Sequence, residues 1–184
     1  KEFYKKMIGD QPTVNRDWET TFSSWGAPPS DTEKTKAENA ERAIRKAIDA
    51  SAKLKSKTIE VLPQGSYANR TNVRQDSDVD ICVLYKDGFF PDYELSHGLN
   101  NSVLGFTDHK YSYVEFKNDV EAALRSYFSA PSITRGRKAF DVHANTHRID
   151  ADVVPCFEHR RYHGTPEKPW YVSGTELRPD NGGE

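Results

Sequence analysis

The sequence predicts an α+β fold, a mixed β-sheet with helices packed against it. Three observations predict it. Two apolar stripes recur at three- and four-residue steps, each opened by a Ser-x-x-Glu capping box. Four short β-rich runs lie between turn residues, and the elements follow in the order helix, strand, strand, helix, strand, strand. At 184 residues with 35% hydrophobic content the chain suits one domain over 1–184, with a polar lead over 1–29.

Taken in order, the lead carries Trp18, Phe22 and Trp25, and Pro28-Pro29 closes it. Ser30-Asp31-Thr32-Glu33 then starts a helix, because Ser30 and Glu33 can each satisfy the other's backbone donor. Ala37, Ala40, Ile44, Ala47, Ile48 and Ala52 form its apolar stripe, small enough for close packing on a sheet. TIEVL at 58–62 reads as a strand, 63–76 as a polar loop with Gly65, and 79–85 as a second strand. No periodicity survives over 86–110, yet six large apolar residues there suggest a lid or flap rather than a linker. Ser112 to Glu115 repeats the capping box, and Phe116, Val120, Ala123, Leu124, Tyr127 and Phe128 stripe a helix that ends before Pro131. The runs 138–144 and 146–157 read as two more strands. Lys1 at the start and the turn-like residues 179–184 at the end suggest part of a longer protein.

Composition narrows the function classes. A formal charge of −2, from 26 basic and 28 acidic side chains, gives no global field for holding DNA, RNA or an anionic membrane, so phosphate recognition must be local. No apolar stretch approaches the roughly 18 residues of a membrane span. Cys82 and Cys156 lie in apolar strand-like runs, which suits reduced thiols and a cytoplasmic setting. The triplets at 69–71 and 100–102 are then chance glycosylation matches.

The chemistry concentrates in QGSYANRTNVRQDSDVDICVLY, residues 64–85. Side chains alternate along a strand, so Asp78 and Asp80 face the same way with Cα atoms about 6.5 to 7 Å apart. Two crowded carboxylates are either solvated at a strand end or hold a metal ion. RIDADVVP, residues 148–155, offers further carboxylates on alternate positions, Asp150 and Asp152. Three aspartates from two strands, with substrate phosphates, suit a two-magnesium site with ions roughly 3.5 to 4 Å apart. Gln64-Gly65-Ser66 precedes the pair, and glycine lets backbone approach a phosphate while Ser66 adds a hydroxyl donor. Asp76-x-Asp78-x-Asp80 fails as a calcium loop because its sixth position is Ile81 where a sharp turn needs glycine. Cys156, His159 and His163 mimic zinc spacing but lack a fourth soft ligand nearby. His143 and His147 read as surface residues beside a turn, and Arg135, Arg137, Lys138, Arg160 and Arg161 as solvated or phosphate-facing cations.

With these motifs in order the chain resembles the DNA polymerase beta-like nucleotidyltransferase superfamily. It is most similar to the bacterial cGAS/DncV-like nucleotidyltransferases, which make cyclic oligonucleotide second messengers in antiphage defence. PPSDTEKTKAENA, LPQGSYANRTNVRQDSDVDICV, FKNDVEAALRSYF and RIDADVVPCFEHRRY carry the likeness. The resemblance implies that Asp78, Asp80 and Asp152 are catalytic and bind magnesium or manganese, while Gln64, Gly65 and Ser66 hold a nucleoside triphosphate. It favours Asp152 over Asp150 because the family's third carboxylate directly precedes a Val-Val-Pro-like run, here Val153-Val154-Pro155. It also implies a helical C-terminal half, most of which this chain lacks, and an effector reached through the nucleotide product. The competing readings are a non-catalytic nucleotide- or partner-binding module of the same fold, and a glycosyltransferase using Asp-x-Asp. The latter leaves Gly65-Ser66 and Asp152 unexplained.

Overall fold

The computed structural model describes residues 17–25, 29–69, 78–108 and 110–180. Its elements are α1 (Trp18–Trp25), α2 (Asp31–Ala50), β1 (Ile59–Pro63), the single turn α3 (Gly65–Ala68), β2 (Val79–Asp92), α4 (Tyr113–Phe128), β3 (Ile133–Arg135), β4 (Phe140–Val142), β5 (Ala151–Thr165) and β6 (Lys168–Glu176). Both capping boxes form. The Ser30 N–H donates to Glu33 Oε2 at 2.6 Å and the Glu33 N–H to Ser30 Oγ at 3.3 Å, and Ser112 and Glu115 repeat the exchange at 2.8 and 3.2 Å. Helix α4 stops at Ser129, whose φ of 74° turns the chain ahead of Pro131.

The six strands make one mixed sheet in the order β1-β2-β5-β4-β3, with β6 on the far half of β5. β2 and β5 run parallel at its centre, and the other pairs are antiparallel. Helices α2 and α4 lie on one face. Ala37, Ala40, Ile44, Phe116, Val120 and Leu124 pack there against Val61, Ile81, Val83, Phe140 and Val153. Tyr85, Phe116 and Phe157 stack in the middle, with ring centres 4.9 to 5.7 Å apart. The alternate residues Cys82, Leu84 and Cys156 form a smaller apolar cluster on the opposite face, with Leu62 and Val154.

Three departures from the sequence reading have physical causes. Residues 86–92, expected within an irregular flap, continue β2, and its pairing with β5 shifts register between Tyr85 and Phe89. Phe89 packs edge-on against Phe106 while Phe90 packs on Phe157, so both faces of this stretch are covered and alternation disappears. β5 starts later than expected, at Ala151, because Asn145 and Arg148 close a turn, and it runs on to Thr165 because β6 pairs with it. β6 itself was not anticipated: nearly all of its side chains are exposed, so no apolar period marks it. β3 is too short to carry a pattern. Asp76, expected in a solvated loop, lies outside the described residues.

Candidate active site

β1 ends at Pro63, and the N–H of Gln64 donates to the Asp80 carbonyl at 2.7 Å, which ties the start of α3 to β2. Gly65 sits at φ +65°, and a Cβ there would lie 2.0 Å from Asp80 Oδ2. Only a residue without a side chain lets the Asp80 carboxylate lie against this turn. Ser66 follows, half-buried, and the Tyr67 hydroxyl anchors the turn to α2 by donating to the Lys34 carbonyl at 3.2 Å.

Strand register then assembles the carboxylates. Asp80 on β2 stands opposite Asp152 on β5, and Asp152 stands opposite Asp141 on β4. Directly opposed residues share a face with Cβ atoms about 4.5–5.5 Å apart, so the three form a row across three strands. Asp78, Asp150 and His143 make a parallel row one step toward the edge; the Val79 N–H donates to the Asp150 carbonyl at 3.1 Å there. Both rows lie on the face that α2 and α4 leave uncovered, beside Cys82 and Val154. Burial first, then the charges of Asp78, Asp141, Asp80 and Asp150, raise the Asp152 carboxyl above its ordinary range. Every one of these causes acts in the same direction, and a divalent cation would reverse it. The oxygen-rich donor set fits magnesium.

Asp150 is engaged differently, because its Oδ1 accepts the Ala144 N–H at 2.6 Å in the β4–β5 turn. Among the described residues, the ligand atoms of Asp141, His143 and Asp150 approach within 4.8 Å of one another. Asp141 was missed by sequence reasoning and His143 was read as a surface residue. The signal was Asp141-Val142-His143, an alternating pair that acquires meaning only once β4 is known to flank β5.

The chain matches the model of the Second Messenger Oligonucleotide or Dinucleotide Synthetase domain over residues 13–171. The chain belongs to this family. It is 50% identical over 167 residues to the cyclic dipyrimidine nucleotide synthase of Legionella pneumophila, covering 91% of this chain and 56% of that protein. It is 45% identical to the synthase of the same name from Cecembia lonarensis, covering 89% and 54%. Among solved structures it superimposes on the cyclic UMP-AMP synthase of Rhodothermus marinus, determined with Apcpp and Upnpp, with a TM-score of 0.72 and 31% identity over 89% of this chain and 53% of that one. The chain thus spans about half the length of the relatives it matches, and the nucleotidyltransferase fold expected from the sequence is present in that half.

Within this synthetase domain several cations suggested for triphosphate contact are occupied elsewhere. Arg135 donates to both Asp180 oxygens at 3.0 and 3.1 Å and pairs with Glu121. Arg160 pairs with Glu158 and lies 3.9 Å over the Phe89 ring, and Arg161 pairs with Asp92 at 2.8 Å. The zinc-like spacing dissolves as well. Alternation on β5 sends Cys156 and His159 to opposite faces, with His159 on Glu176 and His163 stacked on Trp170. No helix among the described residues is long and apolar enough to cross a membrane.

Proposed function

We propose that the whole protein is a magnesium-dependent nucleotidyltransferase that joins two nucleoside triphosphates into a cyclic dinucleotide. The observation that carries this reading is the register of Asp80 against Asp152 with Gly65 seated on the Asp80 carboxylate. Asp78, Asp80 and Asp152 would hold two divalent ions, magnesium or manganese, whose chemistry when bound is to neutralise phosphate charge and lower the pKa of an oxygen nucleophile. Gln64, Gly65 and Ser66 hold the donor triphosphate beside them. The acceptor's 2′- or 3′-hydroxyl oxygen bonds to the α-phosphorus, the bond to the pyrophosphate oxygen breaks, and the hydroxyl proton leaves to solvent. A second such transfer closes the ring. We take Asp152 rather than Asp150 as the third ligand because it stands directly opposite Asp80 in the β2–β5 register.

The names of the relatives at 50 and 45% identity favour pyrimidine nucleotides as substrates. The product then acts as a second messenger in the cytoplasm, reaching an effector in antiphage defence. Mass spectrometry after incubating the full-length protein with magnesium and all four ribonucleoside triphosphates tests this. A cyclic dipyrimidine and pyrophosphate are expected, with product from Asp78→Asn/Asp80→Asn reduced at least a thousandfold. Equal product from that variant would overturn the assignment, and triphosphate binding that ignores magnesium would favour a non-catalytic module.

A further inference from the structure

We propose that Asp141, His143 and Asp150 form a separate metal site, on the β4 side of the aspartate rows, for a divalent ion that accepts nitrogen as well as oxygen ligands, such as Mn2+ or Zn2+. The three residues come from neighbouring backbone, Asp141 and His143 from β4 and its continuation and Asp150 from the residue before β5. The His143 N–H donates to the Ser132 carbonyl at 3.0 Å, so the position after β4 is held by the sheet. Their ligand atoms converge within 4.8 Å, and all three are half-buried.

The surroundings orient the ligands. His143 Nε2 lies 2.9 Å from Thr134 Oγ1 on β3. With that nitrogen protonated and donating to Thr134, the Nδ1 lone pair is left facing Asp141 Oδ1 at 3.4 Å. A cation between Nδ1 and Asp141 would be held by both, whereas without one the other tautomer lets Nδ1–H donate to Asp141 while Nε2 accepts from Thr134. An outer partner that fixes the tautomer and aims the other ring nitrogen inward is the usual companion of a histidine ligand. Asp150 is fixed in the same way, one oxygen on the Ala144 N–H at 2.6 Å and the other left for a ligand.

Ligand chemistry separates this site from the one proposed for catalysis. An imidazole suits Zn2+ and Mn2+ better than Mg2+, which prefers oxygen alone. The charged neighbours, Asp78 and Asp152 across the rows and Arg148 beside Asp150, include two more carboxylates and favour an incoming cation. The inference does not depend on the proposed reaction, because binding is read without nucleotide.

The test is pulsed electron paramagnetic resonance of Mn2+ added to the full-length protein. Coupling of the manganese to an imidazole 14N is expected in the wild type and in Asp78→Asn/Asp80→Asn, and is lost in His143→Ala. Titration should give an affinity at least tenfold lower in His143→Ala and in Asp141→Asn. Thr134→Val leaves the three ligands in place and removes only the outer partner, and should weaken binding by about tenfold. Wild-type protein without 14N coupling would mean that Asp141 and His143 are only an ion pair, and would overturn the proposal. So would coupling that persists in His143→Ala, or unchanged affinity in Thr134→Val.

Discussion

Single atoms decide much of the proposed chemistry. In Gly65→Ala the new methyl meets Asp80 Oδ2 at a distance no pair of atoms tolerates, on backbone that already favours glycine. The carboxylate must move, and a displacement of about 1 Å at a reacting centre costs about a hundredfold in kcat/KM. We expect that loss together with a lowered thermal midpoint from the strained backbone, measured by nucleotide turnover and by calorimetry. Asp152 makes the complementary case. Burial and four neighbouring carboxylates raise its pKa in the fold, so its ionisation opposes folding. Its stabilising contribution is complete below the unfolded-state pKa and is lost as pH rises through the raised folded value. Asp152→Asn should therefore stabilise the metal-free protein at pH 7 and hardly at pH 3. Magnesium should raise the melting temperature of the wild type and not of this variant. Melting curves at the two pH values, with and without magnesium, check both statements.

At the scale of elements, local rules and long-range pairing divide the information. The capping boxes at Ser30 and Ser112 were legible because their partners lie three residues away, and Ser30→Ala should cost about 1 kcal/mol in urea unfolding by removing one of them. The Asp78-x-Asp80 pair was legible because strand alternation alone puts both on one face. Asp141 was not, since its meaning comes from the neighbour β4 acquires across the sheet. The continuation of β2 through 86–92 was hidden for a related reason: Phe89 and Phe90 are both covered, one from each side, and the two-residue period that marks a strand is erased. β6 shows the opposite failure. Its backbone pairs throughout with β5 while most of its side chains remain largely exposed, so no alternating apolar period marks it in the sequence.

For the whole molecule, helices on one face and carboxylates on the other give each side of the sheet its own task. Lys117 fastens the helical side to the chain's last described turn, 1% exposed, with its Nζ donating to Asp180 at 2.8 Å and to the Arg137 carbonyl at 2.6 Å. Asp180→Ala leaves that ammonium without its carboxylate and should cost roughly 2–3 kcal/mol, read as a lower denaturation midpoint in urea with an unchanged slope. The parallel pairing of β2 with β5 has a consequence in time. Asp80 meets Asp152 only after α4 and the β3–β4 hairpin have been made and folded back, so the central pair is a non-local contact of the kind that slows folding. During synthesis the chain leaves the ribosome from the N-terminus, and β2 must wait with one edge open until β5 emerges. A chain cut short before Asp152 would therefore carry Gly65, Asp78 and Asp80 without the strand that sets a third carboxylate beside them.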